Sequence, residues 1–157
     1  MLHIRNRTRR IRIKKVEEMI REFKISDTKQ VMKLWLAGNE DAHPFIPKEY
    51  WHLHYNEVQE ALLEASVFVY DSDGTIQGFI GMINEYIAGI FVDRNFRSQG
   101  IGTQLLNYVK RRYARLSLKV YIKNTKAVSF YLKENFSVSS ESIDEDTGEK
   151  EYIMIWQ

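Results

Sequence analysis

Residues 90–106 read I-F-V-D-R-N-F-R-S-Q-G-I-G-T-Q-L-L. The stretch opens apolar and β-prone, crosses a polar turn, and continues as Arg97-Ser98-Gln99-Gly100-Ile101-Gly102-Thr103. Ile101, Leu105, Leu106 and Val109 then recur at spacings of three and four, the period of one helix face. A strand therefore runs into a helix through a turn holding two glycines. The first amides of a helix lack intrahelical partners, and its dipole favours negative charge at that end. Glycine there lets an anion come close to the backbone. The pattern points to a pocket for a phosphate-bearing ligand.

Two common phosphate motifs are excluded. No Gly-Lys-Ser/Thr follows, so the turn is not a P-loop. The dinucleotide fingerprint would need its third glycine where Leu105 stands, and it would follow a first strand rather than lie deep in the chain.

The 157 residues suffice for one domain with its own core, and 44% apolar content argues against disorder. Without cysteine, disulfides, thiolate metal sites and a cysteine nucleophile are all ruled out. No apolar run approaches the length of a membrane span, and the basic N-terminus lacks the apolar core of a secretory signal. A cytoplasmic protein without membrane contact is the expectation.

Charge is unevenly placed. Residues 1–18 hold seven basic and two acidic side chains, which leaves 16 basic against 19 acidic in residues 19–157, a net of −3. The positive balance of the whole chain thus belongs to a short arm. Such an arm binds nucleic acid or anionic lipid by charge alone. No aromatic residues interleave its charges for base stacking, so a basic extension preceding a single domain at 19–157 is the favoured reading, and nucleic acid is not an expected partner. Ile11 and Ile13 alternate as an added edge strand would.

Along the body, residues 20–24 alternate as a half-buried strand does, and Ser26 and Asp27 suit a helix N-cap. A helix around Val31, Leu34 and Trp35 follows, then a break at His43-Pro44-Phe45-Ile46-Pro47 and a second helix to about residue 65, with Leu53, Val58, Ala61 and Leu62 expected inward. Residues 67–70 and 76–84 form a hairpin about Asp71-Ser72-Asp73-Gly74, and residues 86–92 form the strand that enters the opening motif. A helix to about residue 113, a strand at 116–122, a short helix at 124–132 and two closing strands complete the order β-α-α-β-β-β-α-β-α-β-β. That mixture implies a sheet covered by helices on both faces.

Arg97-x-x-Gly100-x-Gly102, about five residues after a strand ending at Val92, resembles the coenzyme A signature of the GNAT superfamily of N-acetyltransferases. A second anchor is similar to that family's C-terminal pattern: Asn124, Ala127, Phe130-Tyr131 and Asn135-Phe136. Asn135 stands where the family has glycine. Asparagine is the next best residue for the left-handed geometry of a helix C-cap, so the motif is altered but physically intact. His43-Pro44-Phe45-Ile46 and Tyr50-Trp51 resemble the small bacterial single-domain enzymes of the YiaC type. The resemblance spans the body and not the arm.

It implies an α/β (mixed α+β) fold, with a mixed, mostly antiparallel sheet of six to seven strands and about four helices. It implies transfer of an acetyl group from acetyl-CoA, as co-substrate, to a primary amine of a small molecule, a protein lysine or a protein N-terminus. No metal is implied, and a homodimer is compatible with it. By position, Ile90, Phe91 and Val92 would offer strand backbone to the cofactor's pantetheine arm. Arg97, Ser98, Gln99, Gly100, Ile101, Gly102 and Thr103 would bind its pyrophosphate, and Asn124 would hydrogen-bond it. Lys110, Arg111 or Arg112 would reach its adenosine phosphate.

Tyr131 matches the family's usual proton donor to the leaving thiolate. Glu85, Tyr86 and His43 are all candidate bases, with Glu85 placed at the start of the strand before the cofactor turn, and a water chain is a further route. Lys119 occupies a position where many relatives carry a glutamate. His43, Phe45, Tyr50 and Trp51 are candidate acceptor walls, and Glu85 alternatively attracts a cationic amine. A non-catalytic acyl-CoA sensor on the same scaffold is the competing function.

Overall fold

A computed structural model describes residues 19–157. The basic arm at 1–18, with Ile11 and Ile13, lies outside the described residues. The elements follow in the expected order. β1 (Ile20–Glu22) leads through a 3-10 turn (Ile25–Asp27) into α1 (Thr28–Ala42) and α2 (Lys48–Ala61). Three strands follow, β2 (Ser66–Ser72), β3 (Thr75–Ile83) and β4 (Tyr86–Val92). After a second 3-10 turn come α3 (Ile101–Lys110), β5 (Leu116–Tyr121), α4 (Thr125–Lys133), β6 (Ser137–Ile143) and β7 (Lys150–Trp156).

The strands form one seven-stranded sheet in the order β1-β2-β3-β4-β5-β7-β6. Neighbours are antiparallel except β4 and β5, whose parallel pairing requires the crossover that α3 supplies. Helices cover both faces, each over its own core. On one face Val31, Met32, Leu34 and Trp35 of α1 and Trp51 of α2 pack on Val67, Val69, Ile76 and Phe79. On the other, Ile101, Leu105, Leu106 and Val109 of α3 and Tyr131 of α4 pack on Ile80, Met82, Ile87, Leu116, Leu118 and Met154. The helical spacing noted in the opening motif thus marks the buried face of α3.

α2 departs from expectation. Leu53 is 81% exposed and Ala61 is also exposed, whereas Trp51 and Leu62 are buried and Tyr55 and Val58 pack against the core. Residues 51, 55, 58 and 62 follow the helical period, and residue 53 lies about two residue steps round the barrel from that face. The bulky tryptophan, with more area to bury, sets the rotation.

β1 is only three residues long and is held by charge. Arg21 donates to both carboxylate oxygens of Asp27, at 2.8 and 2.9 Å, and to Asp71 of β2 at 3.0 Å. Asp27 also accepts the Lys24 amide at 2.8 Å. Arg21 and that amide hold the Asp27 carboxyl below the usual range against the opposing effect of burial.

The sheet is split at its centre. β4 and β5 pair only at Tyr86 with Ser117 and Ile87 with Leu118. The register between β3 and β4 slips at the same level, from Gly81 with Gly89 to Met82 with Ile87, so Ala88 is a bulged residue. A bulge bends its strand and adds twist. Beyond it, β4 still pairs with β3 as far as Val92, while β5 continues without β4 to Tyr121.

Candidate active site

The turn expected to bind phosphate lies at the far end of β4. Gly100 is the N-cap of α3 with φ of 81°, and Ser98 has φ of 66°. Alternating left-handed residues turn successive amides toward one concave side, the geometry of an anion nest. None of the amides of residues 97–103 donates a hydrogen bond within the described chain; the first that does is Gln104, to the Gly100 carbonyl at 3.0 Å. A Cβ on Gly100 would meet nothing within 4 Å, so the space above the turn is open. At Gly102 a Cβ would come within 3.3 Å of the Phe130 ring, which explains glycine there as a close approach of α3 to α4.

The β4 edge at Ile90, Phe91 and Val92 faces the split and has no β5 partner. Strand backbone of that kind presents unpaired amide and carbonyl groups. The Phe91 ring turns away from the split. It stacks on Phe79 at 5.3 Å and sits where side chains on Gly38 or Gly89 would collide with it.

The Arg97 guanidinium leans back on Asp41 at 3.5 Å. Thr103 donates its hydroxyl to Glu134 at 2.8 Å. Lys110 is committed elsewhere, donating to the Glu134 carbonyl at 2.6 Å beneath the Phe136 and Trp156 rings. Arg112 lies 3.4 Å above the Tyr108 ring.

Tyr131 is 8% exposed in the core beneath the split. Burial, reinforced by the neighbouring Tyr86 phenol, pushes its pKa well above the ordinary tyrosine range, so it keeps its proton at neutral pH. Burial also raises Tyr86, helped by the charge of Glu151.

The four candidate acceptor walls do come together. The His43 ring lies 5.3 Å from Trp51, 5.7 Å from Phe45 and 5.1 Å from Tyr121, and Tyr50 packs on Trp51 at 4.9 Å. Tyr121 escaped notice in the sequence because it closes an ordinary alternating strand. Its hydroxyl donates to Asp144 at 2.5 Å, and the Tyr50 hydroxyl reaches Asp146 at 3.5 Å. These two contacts draw the acidic β6–β7 turn over the aromatic cluster.

Asn124 links the two regions. Its side-chain oxygen caps α4 by accepting the Ala127 amide at 3.3 Å, and its amide nitrogen donates to His43 Nε2 at 3.3 Å. The ring proton therefore sits on Nδ1, which is buried outside hydrogen-bonding geometry. Burial lowers His43 to about 4, opposed weakly by the nearby Asn39 carbonyl, so the imidazole is neutral at pH 7.

Glu85 stands one residue before β4, in the β3–β4 turn rather than in the strand. Its side chain is exposed, and no contact joins it to Tyr131 or His43; its carbonyl accepts the Ser117 amide at 3.0 Å. Sequence reasoning missed a different carboxylate, Glu151, which is 8% exposed on β7 opposite Tyr121. Among the described residues no group of His, Cys, Asp and Glu could hold a metal ion, and no helix is long and apolar enough to cross a membrane.

Comparison with known proteins shows the family and the fold. A profile described as the acetyltransferase (GNAT) family matches residues 28–136. The chain is 34% identical over 140 residues to the peptidyl-lysine N-acetyltransferase YiaC of Escherichia coli K12, covering 88% of this chain and 96% of that protein. The solution structure of apo YjaB from Escherichia coli superposes with a TM-score of 0.78 at 23% identity, covering 87% of this chain and 95% of that one. The PaiA N-acetyltransferase of Thermoplasma acidophilum, solved in complex with coenzyme A, gives a TM-score of 0.74 at 21% identity over 88% and 97% of the two chains. With its profile matched over most of the body and a relative above 30% identity along nearly its full length, the chain belongs to the acetyltransferase (GNAT) family.

Proposed function

We propose that this enzyme moves the acetyl group of acetyl-CoA onto the side-chain amine of protein lysine, by direct attack of the amine on the thioester. The observation that carries the cofactor half is the run of undonated amides at residues 97–103, set at the positive end of α3. A diphosphate supplies oxygens for those donors, and Gly100 leaves the room it needs. The unpaired β4 edge at Ile90, Phe91 and Val92 suits the peptide-like pantetheine arm, which would lie in the split. Asn124 has both ends of its amide engaged within the protein, so its contribution to cofactor binding is to hold the start of α4.

Acetyl-CoA supplies an activated acyl group and a thiolate leaving group. The protein's part is to hold, orient and manage protons. Tyr131, kept protonated by burial, is the donor to the departing sulfur. His43, Phe45, Tyr50 and Trp51 form one wall of the acceptor groove, with the acidic β6–β7 turn at its mouth. A cationic lysine is drawn toward such a rim, and exposed Glu85 adds to the pull only as a solvated charge. The names of three curated relatives, all peptidyl-lysine N-acetyltransferases, favour this acceptor class.

A non-catalytic acyl-CoA sensor would need the same amides but no buried phenol beneath the split. The test is thiol release on mixing enzyme, acetyl-CoA and a lysine peptide with a blocked N-terminus. Transfer to the lysine nitrogen is expected; cofactor binding without thiol release would establish the sensor instead.

A further inference from the structure

Glu151 is the one buried carboxylate on the acceptor side that the reading above leaves without a task. Directly paired residues in an antiparallel sheet project to the same face, and Glu151 pairs with Tyr121 on one side and Ser142 on the other. Tyr121 packs against the core shared with α1 and α2 and touches His43 and Phe45. Glu151 therefore faces the aromatic wall, one strand away. At 8% exposure it is buried, yet no ion pair reaches its carboxylate among the described residues, and the Ser142 hydroxyl is its one hydrogen-bonding neighbour. The Ser142 hydroxyl beside it is buried and has no other partner, so this weak contact is all that the carboxylate is offered. A buried charge left in this state is costly unless something arrives to pair with it.

The groups facing Glu151 can be named from each element around it. Lys119 and Tyr121 come from β5, Ser142 from β6, Asp144 from the β6–β7 turn, and Tyr86 from β4. Burial and Asp144 raise the carboxyl pKa, while Lys119 and Ser142 oppose them more weakly. Tyr86 feels the charge of Glu151 and in turn influences Tyr131, so the carboxylate and the buried phenol share one electrostatic neighbour.

We propose that Glu151 is the proton acceptor for the incoming ammonium, the catalytic base that the strands flanking the split do not supply. This rests on the acetyl-transfer reading. A lysine ammonium entering past Asp144 gives one proton to the Glu151 carboxylate, leaving a neutral amine and a carboxylic acid. The nitrogen lone pair then forms a bond to the thioester carbon and the carbon–sulfur bond breaks. The second nitrogen proton is lost as the amide forms, the thiolate is protonated through Tyr131, and Glu151 returns its proton to water. One proton is released per acetyl group, as conversion of an ammonium to an amide requires.

A lysine amine is neutral in only about one molecule in 2,500 at pH 7, so the base has a large deficit to overcome there and little above pH 10. The experiment measures kcat/KM for a blocked lysine peptide from pH 6 to 10.5, with acetyl-CoA affinity by calorimetry. Glu151→Gln is expected to lower kcat/KM about 100- to 1,000-fold at pH 7, with the deficit shrinking toward pH 10 and the acetyl-CoA Kd within twofold of wild type. Glu151→Asp keeps a carboxylate and should recover part of the loss. A loss constant across the pH range marks a structural role and overturns the proposal, as does an unchanged rate or an acid limb that follows Glu85→Gln instead. Failure of the acetyl-transfer reading shows itself separately, as a wild-type enzyme that releases no thiol with any primary amine, and it removes this inference with it.

Discussion

Two side chains near the split carry opposite protonation arguments. Tyr131 is held neutral as an acid, so removing its proton source while keeping its ring separates chemistry from packing. Tyr131→Phe should lower kcat about 100- to 1,000-fold and leave acetyl-CoA affinity unchanged; steady-state kinetics beside calorimetry reads the difference. His43 is held neutral as a base. Its folded pKa of about 4 lies below the unfolded value near 6.5, so the unfolded chain binds the extra proton between those pH values. Stability linked to His43 is fully present above about pH 6.5 and is lost as the pH falls toward 4. His43→Gln should remove about 3 kcal/mol of the fall in unfolding free energy between pH 7 and pH 4, as read by urea titrations at the two pH values.

At the scale of elements, two local devices can be tested alone. Asn135, at the end of α4, has φ of 69°. Asn135→Ala should cost about 1 kcal/mol, and Asn135→Gly should be neutral or slightly stabilising, since only the left-handed backbone is at issue. Asp27 fastens β1 to the start of α1 through Arg21. Asp27→Asn should destabilise by about 1–3 kcal/mol, because it removes the bidentate one of the two carboxylates that hold Arg21 and leaves only Asp71. The Asp27 contribution is present above the unfolded carboxylate pKa and fades as the pH falls through its lowered folded value, so Asp27→Asn and the wild type should converge in acid.

Elements were also where the sequence was most legible. The turn at residues 97–103 and the helix after it are contiguous, so spacing alone revealed both the buried face of α3 and the glycine N-cap. Asn135 likewise declared its left-handed geometry by its position after a helix. The acceptor side was opaque for the opposite reason. His43 meets Asn124 across 81 positions, and Glu151 acquires its meaning only from its register with Tyr121 and Ser142. On its own strand it reads as one more charged residue in an alternating run. The rotation of α2 was misjudged because Leu53 and Trp51 are both apolar, and only packing decides between them.

At the scale of the whole molecule, a ligand that binds only the folded chain must raise its unfolding temperature. Acetyl-CoA at a hundred times its Kd should add about 2.7 kcal/mol, which for a chain of this size is about 5–10 °C. Gly100→Arg should abolish that shift, since an arginine would occupy the open space above the turn and strain a φ of 81°. A variant that kept the full shift would remove residues 97–103 from the binding site.

The seam through the sheet has a mechanical consequence. Strands β1 to β4 and strands β5 to β7 are welded at two residue pairs only, Tyr86 with Ser117 and Ile87 with Leu118. Such a short weld would act as a flexure, the slot above it widening or narrowing with any rocking that the shared core beneath allows. On the proposed placement, a carrier lodged in the slot would become a wedge that fixes the opening angle. Stiffness at the weld, far from any reacting atom, would then govern how fast spent carrier escapes.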